Sequence, residues 1–448
     1  MPIYQKISNE ISRQEKDYIH SLKELVQIPS VLAESSMYPF GEPINQALEK
    51  MLEICEELGF TVYKDPQGYY GFAEIGTGQE MIGILGHLDV VPAGNISNWH
   101  TDPFEAVMKD GKIYGRGTQD DKGPTLATVY AVKALMNIGV SFNKRVRLIF
   151  GTDEETLWRG MEQYKLKEEM PTMGFTPDSS FPLIYAEKGL LQVQLKGRNE
   201  SILELKGGDA FNAVPSSVVY KGDKQTELED RLQELGFHYE KAGEGILVLG
   251  KPAHAQVPEE GINAISRLAI ALYEIGKQSK TIDFIYELIK EDPFATSIFG
   301  NVEDEASGKL KFNIGKLEIT KEECLSIDIR IPVTGDKEEV VKHLKQAASK
   351  YGLTYMEFDY LPSIYIPKSD PFIQTLLKVY RETTGDEVSE PKSSGGATYA
   401  RAMNRCVAFG AIFPEQEKVE HQPNEFIEIE KMMKAMEIYA KSIYLLGR

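Results

Sequence analysis

Cysteine is scarce: Cys55, Cys324 and Cys406 are the only three in 448 residues, far apart and without C-x-x-C spacing. That pattern excludes a disulfide framework and a thiolate zinc site, so the expected compartment is a reducing cytoplasm and any metal must be held by imidazole and carboxylate. Long apolar runs are missing as well. The opening stretch MPIYQKISNEISRQEKDYIH has no signal-like apolar core, and no later segment approaches the roughly 20 apolar residues that span a bilayer. Secretion and membrane insertion are therefore not expected. Positive charge is in deficit, with 50 Lys and Arg against 68 Asp and Glu and a net charge of −18. Nucleic acids and acidic membranes select basic surfaces, so neither partner fits, whereas an acidic cavity that attracts cations does. Gly-x-Ser-x-Gly and His-Glu-x-x-His do not occur. Gly245 to Lys251 matches part of a phosphate loop, but Pro252 stands where Ser or Thr is required. No fixed-period repeat or low-complexity tract is visible.

What is present is an ordinary globular composition, 42% hydrophobic, long enough for two or three domains. Ile7, Ile11, Tyr18, Leu22 and Leu25 recur at helical spacing before Pro29, and Ile44, Leu48, Met51, Leu52 and Cys55 do so before Gly59. Met81 to Leu85, Val146 to Phe150 and Met173 to Thr176 read as buried strands ending at Gly86-His87, Gly151 and Pro177-Asp178. Lys122 to Asn137 reads as a helix with Leu126, Tyr130 and Ala134 on one packed face. Strand, helix, strand implies a parallel sheet. From about Gly189 to Ile366 shorter strands (Leu190 to Leu195, Ile246 to Leu249, Leu325 to Ile331) alternate with helices such as Asn263 to Ile275, the texture of a separate α+β domain. A helix around Pro371 to Glu382, a Gly-rich turn, a strand Cys406 to Phe409 and a helix after Ile429 then return to the first domain. The expected architecture is α/β: a catalytic domain in two parts, 1–188 and 367–448, with a central mostly parallel sheet flanked by helices, and an inserted α+β domain, 189–366.

Five short motifs carry candidate chemistry. Gly86-His87-Leu88-Asp89 ends a buried strand, where open parallel sheets place reactive groups. His87 can ligate a divalent metal, and Asp89 is spaced to hydrogen-bond the other imidazole nitrogen. Gly115 to Gly123, with Asp120 and Asp121 at the start of a helix, reads either as a metal ligand or as an N-cap. Asp153-Glu154-Glu155 leaves a second strand, Asp178 a third, and His421 lies in His421-Gln422-Pro423-Asn424-Glu425. Two histidines and three carboxylates, His87, Asp120, Glu155, Asp178 and His421, form the ligand inventory of a dinuclear site. One carboxylate must bridge, and a further acid must stay unligated to accept a proton from water.

With these motifs in this order, nearly the whole chain resembles the co-catalytic zinc peptidase and deacylase family of aminoacylases, acetylornithine deacetylases, carnosinases and bacterial dipeptidases. Gly-His-Leu-Asp-Val-Val-Pro, Trp99 with Asp102-Pro103-Phe104, Gly-Arg-Gly-Thr-Gln-Asp-Asp-Lys-Gly-Pro and Gly-Thr-Asp-Glu-Glu are most similar to the peptidase V branch. The resemblance implies two divalent ions, zinc by expectation with manganese or cobalt acceptable, bridged by Asp120. His87 and Asp178 would complete one site, and Glu155 and His421 the other. It makes Glu154 the general base, gives Asp89 a supporting role and implies a cis Asp120-Asp121 peptide. It further implies that the inserted domain is a lid whose Asn212 and His254 stabilise the oxyanion. Gly395 and Gly396 would lie in a substrate-binding turn, where Ala397 replaces a Gly common in that branch. Arg330 is either the clamp for the substrate carboxylate or a strand-surface arginine.

The function so implied is hydrolysis of short peptides, dipeptides first. A deacylase of N-acyl amino acids or acylated diamino acids is the alternative, followed by a noncatalytic metal- or peptide-binding protein. A small peptide is the expected partner, and the size of the inserted segment favours a monomer.

Overall fold

The segment Met81–His87 is apolar on both faces, and such a strand is stable only in the middle of a sheet covered on both sides. The computed structural model describes residues 1–33 and 37–448 and places it there. Met81–His87 lies parallel to Arg145–Gly151 on one side and to Met173–Thr176 on the other, and Cys406–Ala408 continues the parallel set. Antiparallel strands flank this centre: Tyr70–Ile75 with Thr61–Lys64 beyond it, and at the other edge Ile184, paired with Ala408.

Lys122–Asn137 forms a helix as its spacing predicts. It is buried nearly all round rather than along one face, because it is packed by the Met81–His87 strand, the C-terminal helix Ile429–Leu446 and the N-terminal helices. The first apolar pattern is two helices, Ile3–Arg13 and Glu15–Val26, separated at Gln14. Ile11 and Tyr18 remain two turns apart across the break, so periodicity alone does not reveal it.

The chain divides into two compact units, Met1–Tyr185 with Ile366–Lys392 and Thr398–Arg448, and Ala186–Tyr365 with Ser393–Ala397. The short piece Ser393–Ala397, which contains Gly395 and Gly396, thus groups with the second unit rather than with the first. The second unit holds an eight-stranded sheet in which every pairing is antiparallel. Alternation sorts its strands: Leu191, Val193, Leu195, Ile327 and Ile329 enter a core with Leu268, Leu272, Phe284 and Leu344 from the helices. The opposite face carries Gln192, Asn313, Asp328 and Arg330. This is the α+β texture expected between Gly189 and Ile366. Among the described residues no helix is long and apolar enough to cross a membrane.

Candidate active site

His87 is the last residue of its strand and 1% exposed. The glycine before it permits a close approach: a Cβ on Gly86 would lie 1.8 Å from the Thr125 hydroxyl oxygen. The helix that begins at Lys122 can therefore sit against the strand end, bringing the Asp120-Asp121 turn to His87. The Asp120-Asp121 peptide is cis, as the resemblance implies. Asp121 occupies the N-cap position but does not cap with its side chain. Its Oδ2 accepts from the Thr125 hydroxyl at 2.6 Å and from the His87 N–H at 3.2 Å.

Asp120 is then left to face both histidines. Its Oδ1 lies 3.0 Å from His87 Nε2 and its Oδ2 3.0 Å from His421 Nε2. Glu155 Oε1 is 3.1 Å from that same His421 nitrogen, and Asp178 Oδ2 is 3.8 Å from His87 Nε2. The five residues chosen as ligands thus converge in the first unit. Ligand atoms of His87, Asp120 and Glu155 lie within 4.8 Å of one another, as do those of His87, Glu154 and Asp178.

Asp89 acts differently from the sequence expectation. The His87 Nδ1 contact is to the main-chain carbonyl of Asp89, at 2.9 Å, while the carboxylate is 3.7 Å away. That carboxylate accepts from the N–H groups of Glu154, at 3.2 Å, and Glu155, at 3.0 Å. A carbonyl two residues beyond the strand end already satisfies the imidazole, so the side chain is released to hold the acidic turn. The Trp158 indole N–H, donating to the Glu154 carbonyl at 2.7 Å, fixes that turn from its other side.

The electrostatics are lopsided. Among the described residues no Lys or Arg pairs with Asp89, Asp120, Glu154, Glu155 or Asp178. Burial, reinforced by Glu155, Asp120 and Asp89, raises the Glu154 carboxyl well above the usual range, with His87 opposing. Burial and the charges of Asp120, Asp121 and Glu154 do the same to Asp178. Burial also pushes Asp89 up to about 6 and Asp121 to about 7. Asp120 is the exception: although burial raises it, its bonds to His421 and His87 outweigh this and hold it low. His421 is pushed up to about 11 by its bonds to Asp120 and Glu155. Crowded, partly buried carboxylates beside imidazoles suit divalent cations, which would neutralise the acids and take the place of the imidazole protons.

Sequence reading gave no role to the residues that tie these loops together. Glu425, fully buried, accepts from the N–H groups of Gln119 at 2.8 Å and Asp120 at 3.2 Å, and pairs with Arg116 at 2.6 Å. The Gln119 amide oxygen in turn accepts from the N–H groups of Val419 at 2.8 Å and Glu420 at 3.1 Å. The Asp120 and His421 loops therefore grip each other reciprocally. Nothing in the sequence links partners so far apart. Gln119→Ala is expected to weaken divalent-metal binding by about tenfold, as loss of a supporting partner does, and calorimetric titration of metal-free protein measures it.

His254, Asn212, Arg330, Gly395 and Gly396 belong to the second unit. The Gln256 N–H donates to His254 Nδ1 at 3.2 Å, which places the ring proton on Nε2. Arg330 and Gly395 are brought together: the guanidinium pairs with Asp328 through Nε at 2.6 Å and Nη2 at 3.0 Å, and its Nη1 donates to the Gly395 carbonyl at 2.7 Å. At 2% exposure Arg330 is not a strand-surface arginine.

Residues 83–445 match the model of Peptidase family M20/M25/M40. The chain belongs to that family. This M20 metallopeptidase is 36% identical to the Bacillus subtilis (strain 168) protein named "Putative dipeptidase YtjP", over 98% of the chain and 99% of the relative. It is 34% identical to the Staphylococcus haemolyticus (strain JCSC1435) protein named "Putative dipeptidase SH1171", over 97% and 98%. In fold the M20 chain is similar to human carnosine dipeptidase 1, with TM-score 0.62, 16% identity and coverage of 100% of this chain and 99% of the other. It is equally similar to an M20 family metallo-carboxypeptidase from Sulfolobus solfataricus, with TM-score 0.62, 19% identity and coverage of 96% and 99%.

Proposed function

We propose that this M20 metallopeptidase is a dipeptidase whose site holds two divalent ions bridged by Asp120. The observation that carries the reading is the Asp120 carboxylate shared between His87 and His421, each 3.0 Å away, amid acids that no Lys or Arg neutralises among the described residues. His87 and Asp178 would complete one ion's ligands, and Glu155 and His421 the other's. Bound there, two divalent ions, zinc by resemblance with manganese or cobalt also suited to these ligands, would supply Lewis acidity to the scissile carbonyl and acidify a water. Glu154 takes the proton of that water and passes it to the leaving amine. Asn212 and the Nε2–H of His254 are the proposed donors to the oxyanion, and Arg330 with the Gly395-Gly396 turn the proposed binders of the substrate carboxylate.

The names of the two relatives support dipeptides over N-acyl amino acids. The free thiols Cys55, Cys324 and Cys406 suit the proposed reducing cytoplasm, and the enzyme is proposed to act as a monomer. A panel of dipeptides, tripeptides and N-acetyl and N-succinyl amino acids, assayed with metal-replete enzyme, tests the substrate. Dipeptides are expected to show the highest kcat/KM by at least about tenfold, a difference of ~1.4 kcal/mol in transition-state binding. Preference for the N-acyl amino acids would overturn the dipeptidase reading and leave the metal site standing.

A further inference from the structure

Asn212 and His254 are exposed, and their main chains are held. Ala213 and His254 form an antiparallel bridge, the Asn212 carbonyl accepts from the Ala255 N–H at 2.9 Å, and the Val214 N–H donates to the Ala253 carbonyl at 2.9 Å. Residues 212–214 and 253–255 are thus one paired piece of chain.

That piece is seated on the strand Lys311–Ile319. Phe312 and Ile314 enter the apolar core of the second unit, and Asn313 between them, 2% exposed, lies on the polar face. Its Nδ2 donates to the Phe211 carbonyl at 2.9 Å and to the Ala213 carbonyl at 2.9 Å, the two carbonyls that bracket Asn212. The amide cannot be turned over, since its oxygen would then face both carbonyls. Asn263 supports this orientation, with its Nδ2 donating to the Ile314 carbonyl at 2.8 Å and lying 3.4 Å from Asn313 Oδ1. Two residues on, the pairing register shifts between Ile314 and Lys316, and the residue between them is a glycine. A Cβ on Gly315 would lie 2.4 Å from the Ala210 carbonyl oxygen and 2.6 Å from that of Phe211. Both Asn313 and Gly315 therefore serve one purpose, holding the Phe211–Ala213 loop flat on the strand.

We propose that Asn313 is a positioning residue of the reaction: through paired hydrogen bonds to Phe211 and Ala213, seconded by the room Gly315 leaves, it fixes where Asn212 and His254 present their donors. The inference rests on the oxyanion role proposed for those two residues. Donors to an oxyanion work only when aimed at the place where charge develops, and a misplacement of about 1 Å costs on the order of 100-fold. Asn313 touches neither substrate nor metal, so its loss should spare metal binding and act on kcat.

The test uses the full-length, metal-loaded enzyme and reads kcat and KM per mole of metal-loaded protein, with metal content and Tm alongside. Asn313→Ala is expected to lower kcat about 10- to 100-fold with KM within about threefold and metal content unchanged. Asn313→Asp, equal in shape but without donors, should do at least as much. Gly315→Ala, which lifts the same loop by contact rather than by loss of a bond, should reproduce the kcat-selective loss. The Asn212→Ala/Asn313→Ala double variant should lose less than the product of the single losses, because the two act through one group. If Asn212→Ala is crippled but the Asn313 and Gly315 variants keep wild-type kcat, or if the losses multiply, the positioning role is refuted and the oxyanion reading survives. If Asn212→Ala and His254→Ala are themselves harmless, both fall together. A lowered Tm with kcat intact would reduce Asn313 to a structural residue and overturn the proposal.

Discussion

Glu154→Ala is expected to retain two metal ions and lose on the order of 10²- to 10⁴-fold in kcat, the range spanned by loss of a positioned general base. The main chain around Glu154 is fixed from two sides, by the Asp89 carboxylate on its N–H at 3.2 Å and by the Trp158 indole on its carbonyl at 2.7 Å. Its half-buried carboxyl stands near Glu155, Asp120 and Asp89, which favours the protonated form. A bound cation pair would offset that crowding and bring the group toward a range where it can exchange a proton with water. Glu154→Gln keeps the shape and removes the basicity, so it should be as inactive as the alanine variant. KM should change little, because the proton is moved in the transition state rather than in binding. Metal analysis of the purified variants decides the main rival: Glu154 lies within 4.8 Å of His87 and Asp178 ligand atoms, so loss of one ion would make it a ligand. Substantial turnover with both ions present would refute the assignment of the base.

Removal of metal with a chelator is expected to abolish turnover, to lower Tm by about 5 °C or more at neutral pH, and to be reversed on readdition of zinc, manganese or cobalt. The metal-free protein should also reverse its pH response. Glu154, Asp178, Asp89 and Asp121 have folded-state pKa values raised above their unfolded values, as do His87 and His421. Groups of this kind contribute stability that is fully present below the unfolded pKa and is lost as pH rises through the folded one. Asp120, whose pKa is lowered, has the opposite sign, but its contribution is lost only in strong acid. Between about pH 5 and 8 the metal-free Tm should therefore fall as pH rises, by the sign of this linkage, while the metal-loaded enzyme should not follow. Calorimetric scans of both forms across that window measure the difference. A metal-free Tm that rises with pH would mean that the carboxylates are neutralised by something other than metal.

Much of this was legible in the sequence because the determinants are local. His87, Glu154-Glu155 and Asp178 each follow an apolar run, and a run that is buried on both faces must end at the sheet edge where they stand. The helix Lys122–Asn137 follows from spacing and lies where expected. What could not be read is whatever depends on pairs distant in the chain or on main-chain atoms. Asp89 was placed by its side-chain chemistry, yet its carbonyl makes the imidazole contact. Gln119 and Glu425 look like ordinary loop residues until the fold sets them together. Asn313 reads as a polar interruption of an apolar strand, and only the loop laid across it explains the residue.

The reciprocal grip of Gln119 and Glu425 also has a consequence in time. The two residues are separated by 306 positions, so at ribosomal rates of 5–20 residues per second the second half of the grip follows the first by about 15–60 s. For most of that interval the nascent chain carries His87, Asp120, Glu155 and Asp178 but not His421, so the proposed pair of ion sites would be incomplete. On the ligand set proposed above, a chain interrupted before His421 would lack one of the five ligands and could not assemble both ion sites.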